Sequence, residues 1–213
     1  MRHPTPYPVS LIVAGRPCLV VGGGRVAARK VAGLVASGAR VTVVAPEVLA
    51  TIDDLGVEVH RRPYHRGEAA GYRLVVTATG APGVDGAVAE DAEAAGIWVN
   101  SADDVANCTF LLPSVHRDGR VTVAVSTGGA SPALATWLRR RIAAALGDGL
   151  APLADLLDEV RRRLQATGRP TDSVDWQRLL DGPLPAAVRD GHLDAARRLL
   201  AEATGEPPPT GEP

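Results

Sequence analysis

Apolar positions along this chain fall into short runs separated by small or polar breaks. The runs at 18–21, 41–44, 73–77 and 97–99 are nearly continuous and rich in valine, as expected of strands covered on both faces. Between the first two, Val26, Ala27, Lys30, Val31 and Leu34 recur at helical spacing, and Gly38 closes the segment. Residues 84–95 repeat that pattern and end at Gly96, while Val57-Glu-Val-His60 is a short alternating stretch. Strands alternating with helices through short loops predict an α/β protein with a Rossmann-like, doubly wound parallel sheet.

The pattern changes from Phe110 onward. The runs 110–115 and 120–125 flank Asp118-Gly119, which predicts an antiparallel hairpin. Ser126-Thr-Gly-Gly-Ala-Ser-Pro132 is a small-residue loop, with Ser131 suited to cap a helix and Pro132 to open it. Leu134, Leu138 and Ile142 mark the expected buried stripe of that helix, and Gly147-Asp-Gly149 breaks it. Leu153, Leu156, Leu157, Val160 and Leu164 define a second amphipathic helix. Shorter helices are expected near 172–180, 185–189 and 193–203, and the Pro-rich tail is expected to be disordered. The predicted organisation is a Rossmann-like domain at 1–112, a linking or dimerisation segment at 113–148, a small all-helical C-terminal domain at 149–205 and a tail at 206–213.

Composition narrows the class. A chain of 213 residues can bury a substantial core, and its formal net charge of −1 predicts no general attraction to nucleic acid or to an anionic membrane. Residues 1–10 carry prolines and no long apolar stretch, so no signal peptide is expected, and no run approaches the ~18 residues of a membrane span. Cys18 and Cys108 do not form a disulfide framework, and the five histidines show no metal-ligand spacing. The expectation is a cytoplasmic protein without a bound metal.

Chemistry is concentrated at three places. The first is Val20-Val-Gly22-Gly23-Gly24-Arg25-Val26-Ala27, a strand running through glycines into a helix, with Gly22, Gly24 and Ala27 at the G-x-G-x-x-G/A positions. Gly22 permits the sharp turn, Gly24 admits a pyrophosphate close to the backbone, and Ala27 lets the helix lie against the strand. The helix start at Arg25 and Val26 then offers N–H groups and a positive dipole end. An acidic residue about 20 positions on accepts a ribose hydroxyl in NAD sites. Here that region reads Ala45-Pro46-Glu47, which favours NAD over NADP; Glu47 suits the start of the next segment nearly as well. Thr77, Ala78, Thr79 and Gly80 leave a strand where such sheets form their cofactor crevice, or form a simple strand exit.

The second place is Asn100-Ser-Ala-Asp103-Asp104, directly after a strand. A carboxylate there can serve as a general base, although an Asp pair in a loop is more often a turn former or a cap. The third is the segment from His116 to Arg141, where Arg117, Arg120, Arg139, Arg140 and Arg141 face a single acid, Asp118. That excess suits an anionic ligand or partner as well as it suits a solvated surface; too few aromatics are interleaved for nucleic acid.

In order along residues 7–150, these stretches resemble the precorrin-2 dehydrogenase family, the module that also forms the N-terminal part of siroheme synthases. The resemblance rests on Val20 to Lys30, Gly38-Ala-Arg-Val-Thr-Val-Val-Ala-Pro46, Val76-Thr-Ala-Thr79, Val99-Asn-Ser-Ala-Asp103, Cys108-Thr-Phe110 and Val123-Ala-Val-Ser-Thr-Gly-Gly-Ala-Ser-Pro-Ala133. It fades through the C-terminal helices, and methylation is not expected of this chain.

The resemblance implies NAD-dependent oxidation of precorrin-2 to sirohydrochlorin in tetrapyrrole biosynthesis, with ferrous iron insertion as a further step in some members. Asp103 matches the family's catalytic aspartate, with Asp104 as its neighbouring alternative. Ser126, Gly128 and Gly129 match the loop lying against the tetrapyrrole, and the substrate's many carboxylates give Arg117 and Arg120 a partner of the right sign. It also implies a homodimer, with Leu134, Trp137, Leu138 and Ile142 as suitable apolar contacts. The alternative from another class is an NAD-binding sensor without chemistry, which needs neither the polar loop after Val99 nor an anion-binding segment.

Overall fold

The computed structural model describes residues 5–205, which divide into two compact units, 5–112 with 128–130, and 113–127 with 131–205. The predicted tail at 206–213 lies outside the described residues.

The first unit is a five-stranded parallel sheet. Its strands are β1 (Pro17–Val21), β2 (Arg40–Val44), β3 (Glu58–His60), β4 (Leu74–Thr77) and β5 (Trp98–Ser101), in the spatial order β3-β2-β1-β4-β5. The apolar runs have the physical reason anticipated for them. Along β1, Cys18 and Val20 join one core with Ala27 and Val31 of helix α1 (Arg25–Ala36) and Ile52 of the short helix α2 (Ala50–Asp53). Leu19 and Val21 face the other way, into a core with Val88, Ala89 and Ala92 of α3 (Pro82–Ala94). Both faces are covered, so alternation disappears and the strand reads as continuously apolar. α1 ends at Ser37 and Gly38, the latter at φ 76°, where a left-handed residue favours glycine. Strand order reverses between β1 and β4, the switch point at which open α/β sheets leave a crevice.

The second unit holds the hairpin β6 (Ser114–Asp118) and β7 (Val121–Val125), helix α4 (Pro132–Leu146) and the helices α5 (Leu150–Ala166), α6 (Trp176–Leu180), α7 (Leu184–Arg189) and α8 (Leu193–Thr204). The hairpin turns at Asp118-Gly119 as predicted, but its first strand begins at Ser114 rather than at 110. Pro113 lacks the donor a ladder needs. Phe110 instead gives its N–H to Val99 O within the first unit. The expected helix at 172–180 is a 3₁₀ turn (Thr171–Ser173) followed by α6, whose N-terminus Asp175 caps by accepting from Arg178 N.

A larger correction concerns α4. Ser131 caps it through Leu134 N, and Pro132 opens it, as expected. Its predicted buried stripe is not buried, however: Leu134 and Ile142 are exposed, Leu138 is half-buried, and Ala135 is the residue that packs inside. Helical spacing identifies an apolar face but not what covers it. By contrast Leu153, Leu156, Val160 and Leu164 of α5 are buried against Leu184, Val188, Ala196 and Leu200.

Candidate active site

The carboxyl edge of the sheet is stitched by backbone bonds beyond the strands themselves. Gly22 N donates to Val44 O at 3.0 Å, Ala78 N to Val21 O at 2.8 Å, Leu49 N to Gly23 O at 3.0 Å and Ala102 N to Thr77 O at 2.9 Å. These bonds draw the β1, β2 and β4 exits around a cavity of about 610 Å³ lined by Gly22, Gly24, Pro46, Glu47, Ala78 and Thr79, together with Tyr64 and Val84.

The three glycines have different duties. Gly22 sits at φ 127°, and a Cβ there would lie 2.3 Å from Ala78 O. A Cβ at Gly23 would lie 1.8 Å from Glu47 O, so this glycine, for which the motif assigns no role, is held by packing against the β2 exit. Only at Gly24 would a Cβ meet no protein atom within 4 Å. Gly24 is also the N-cap of α1, whose first-turn N–H groups, beginning with the exposed Arg25 and half-buried Val26, have no intrahelical acceptors. The open side of Gly24 and these donors form a cradle that fits the pyrophosphate of a dinucleotide.

The exposed Glu47 lines the same cavity, on the side where a ribose hydroxyl needs an acceptor. The arginines leading to Tyr64 are neutralised, Arg61 by Asp53 at 2.7 Å and Arg62 by Glu68 at 2.6 Å, which leaves no unpaired cation between β3 and Tyr64 for a 2′-phosphate. Tyr64 donates to Asp91 at 2.8 Å and accepts from Ala69 N. Burial, and then the hydrogen bond to Asp91, push its phenol up to about 12.

Thr77, Ala78 and Thr79 lie at the β4 exit, but the Thr77 side chain does not face the crevice. It is buried and donates to Asp85, which also accepts from Thr79 Oγ1 at 2.8 Å and Thr79 N at 3.3 Å. Asp85 sits in the first turn of α3, where a carboxylate is favoured by the helix dipole. It holds the β4 exit in shape, and nothing in its sequence neighbourhood beyond its place near a helix start marked it.

The β5 exit carries the two aspartates, and the structure distinguishes them. Asp104 caps a 3₁₀ turn (Val105–Asn107), accepting from Ala106 N at 2.9 Å and from Asn107 Nδ2 at 3.3 Å. Asp103 is exposed and has no such partner among the described residues. The loop behind them is anchored by Asn100, which is buried, donates to Phe110 O at 3.1 Å and Cys108 Sγ at 3.5 Å, and accepts from Lys30 at 3.4 Å. Burial lowers the Lys30 ammonium, with Arg29 adding to the effect, and burial raises the Cys108 thiol. In the sequence Lys30 marks only a helix position, and its reach to β5 has no local signal.

In the second unit Arg120 is tied to Asp158 at 2.8 Å and Asp155 at 3.3 Å on α5, so its charge is offset where it stands. Asp118 accepts from Leu150 N and Ala151 N, and Arg139 donates to Ser114 Oγ. Arg141 lies over the Trp137 ring at 5.5 Å. Arg117 is exposed on the outer face of the hairpin. Thr127 Oγ1 braces Ser131, next to Ser126 and the left-handed Gly128 and Gly129.

A glycine turn and helix start at the switch point of a parallel sheet define a dinucleotide-binding Rossmann domain. Residues 9–114 match the NAD(P)-binding family, and residues 118–145 match the central segment of sirohaem biosynthesis proteins. The siroheme synthase of Methylococcus capsulatus is 38% identical over 202 residues, covering 92% of this chain and 43% of that protein. That of Acinetobacter baylyi is 32% identical over 207 residues, covering 94% of this chain and 45% of its own length. The chain thus spans less than half of these relatives. Among solved structures, SirC, a precorrin-2 dehydrogenase, superposes with a TM-score of 0.73 at 26% identity, covering 93% of this chain and 99% of its own. The chain belongs to the precorrin-2 dehydrogenase and siroheme synthase family, and the crevice at Gly22–Gly24 lies within its NAD(P)-binding segment. No helix among the described residues is long and apolar enough to cross a membrane.

Proposed function

We propose that this chain oxidises precorrin-2 to sirohydrochlorin in siroheme biosynthesis, with Asp103 as the general base. The observation that carries the assignment of the base is the contrast between the two aspartates, since Asp104 is committed to capping while Asp103 stands uncapped at the β5 exit. NAD supplies the hydride acceptor when bound. Asp103 takes the proton that leaves the macrocycle, so that one hydride and one proton depart together. Gly22, Gly24, Arg25, Val26, Pro46, Glu47, Ala78 and Thr79 hold the cofactor, and Thr77 braces the β4 exit behind them through Asp85. Ser126, Gly128, Gly129, Arg117 and Arg120 are assigned to the substrate, Arg120 acting by placing α5 against the hairpin.

Ferrous iron insertion into the product is the second step of the same reading. Its need is a base for the pyrrole N–H protons, which Asp103 meets, with iron as substrate. We assign residues 113–148 to dimerisation, supported by the exposed apolar side chains Leu134, Trp137 and Ile142, and 149–205 to a helical C-terminal domain. We assign the reaction to the cytoplasm.

An anaerobic assay with precorrin-2 and NAD tests the proposal, following NADH and the macrocycle spectrum. Asp103→Asn is expected to lower turnover by a factor on the order of 100 to 10,000 while leaving NAD affinity unchanged. Asp104→Asn is expected to act mainly through loop order. A wild-type protein that binds NAD but turns over no precorrin-2 points to the sensor instead.

A further inference from the structure

The opposite edge of the sheet carries a second concavity, about 700 Å³ in volume, whose walls include Arg16, Arg40, Arg73 and Trp98. Sheet order sets these residues in a row. Arg40 opens β2, Arg16 precedes β1, Arg73 precedes β4 and Trp98 opens β5, while the strands run β2-β1-β4-β5. Backbone bonds fix the register, with Arg40 N donating to Arg16 O and Arg73 N to Pro17 O, both at 2.9 Å. At the spacing of neighbouring strands the row spans roughly 14 Å. β1 is five residues long, so this edge lies roughly 15 Å from the cofactor crevice.

This edge gathers arginines that have no carboxylate beside them among the described residues, unlike those along the β3–β4 connection. Arg61, Arg62 and Arg66 each meet a carboxylate, respectively Asp53, Glu68 and the pair Glu90 and Asp91. No Asp or Glu lines the concavity. Among the described residues Arg16 and Arg73 have no side-chain partner, and Arg40 gives only its Nε to Gly15 O at 3.1 Å. Three guanidinium groups on adjacent strand starts repel one another, and a multivalent anion converts that repulsion into attraction. At the end of the row Trp98 is 55% exposed, in a chain whose other strand residues in this sheet are mostly buried. A half-exposed indole beside guanidinium groups offers a stacking platform for a flat ring.

We propose that this amino edge binds a nucleoside polyphosphate, its phosphates on Arg16, Arg40 and Arg73 and its base on Trp98, at a site separate from the cofactor crevice. Calorimetric titration of ATP and of tripolyphosphate into the full chain, at low ionic strength and with saturating NAD, tests it. ATP is expected to bind with NAD present. The double variant Arg16→Gln/Arg73→Gln is expected to weaken both ligands by about 10-fold or more, the scale of one or two charge-assisted bonds. Trp98→Leu is expected to weaken ATP alone. All three side chains are exposed, so unchanged melting temperatures verify the variants. The proposal is overturned if ATP gives no heat at millimolar concentration, if NAD displaces it, or if the arginine variant binds as the wild type does. A Trp98→Leu variant that binds both ligands normally overturns the nucleotide assignment.

Discussion

The parallel sheet of the first unit and the hairpin with α4 in the second use the same kinds of apolar residue and bury them differently. In the sheet, Leu19, Val20, Val43 and Val75 lose all contact with water because helices cover both faces. On α4, Leu134 is 46% and Trp137 54% exposed, and on the hairpin Val115 is exposed as well. The sheet closes its core within one chain. The α4 surface has apolar side chains grouped on one element, where scattered single exposures would need no explanation. The difference sets the closed core of the sheet against the apolar α4 surface assigned above to dimerisation.

The hardest way to break the sheet is at a position with no room at all. Gly23→Ala places a Cβ on Glu47 O and is expected to cost about 3 kcal/mol or more through backbone displacement. Gly24→Ala, one residue on, meets open space, so chemical denaturation is expected to show wild-type stability while NAD affinity falls. Equal destabilisation of the two variants would sink the distinction between a packing glycine and a ligand-facing one.

Paired truncations sharpen the comparison between the two regions. Leu19→Ala leaves a cavity between strand and helix and is expected to cost about 2–5 kcal/mol. Leu134→Ala removes the same atoms from an exposed site and is expected to stay within about 0.5 kcal/mol for the monomer. Its effect belongs to association, where sedimentation with Trp137→Ser beside it is expected to show a weaker dimer. A large monomer penalty at Leu134 would show that α4 is buried within its own chain.

This contrast also explains what the sequence could and could not tell. Runs such as Leu19-Val-Val21 name strands because burial on both faces leaves no polar position, and the glycine turn names the crevice because only glycine fits Gly22 and Gly23. The stripe Leu134, Leu138, Ile142 names a face equally well, but the covering surface is not encoded locally, and Leu134 and Ile142 stand exposed. Hydrogen bonds across 70 positions, such as Lys30 to Asn100, have no local signal either. Asp103 and Asp104 were indistinguishable as letters. Only the cap formed by Asp104 separates them, and that depends on the 3₁₀ turn that follows.

A smaller effect is expected where the sheet unit braces its crevice wall. Because the Tyr64 phenol is held up to about 12, its neutral form contributes stability fully below its ordinary value of about 10. That contribution is lost as pH rises through the folded value. Asp91 runs the other way: the Gly67 N–H first, then Tyr64 and Arg66, hold it low, so its contribution is lost as pH falls through that lowered value. Tyr64→Phe is expected to cost about 1 kcal/mol near neutrality and to remove the latest-titrating phenol from an ultraviolet pH titration. Loss of an earlier phenol would contradict the burial argument.

The smallest effect tests the second unit where it is most polar. Arg120 joins the hairpin to Asp155 and Asp158, but its side chain is 60% exposed, and exposed pairs contribute at most about 1 kcal/mol. Arg120→Gln is therefore expected to lower stability by less than that, with the difference shrinking as salt rises and the Debye length falls from ~10 Å at 0.1 M to ~3 Å at 1 M. Arg117 has no ion-pair partner among the described residues, and Arg117→Gln is expected to leave stability unchanged while raising KM for a polyanionic substrate. If Arg120→Gln raises KM as strongly as Arg117→Gln without losing stability, Arg120 reaches the substrate directly, and the ion pairs with α5 give way when the substrate binds.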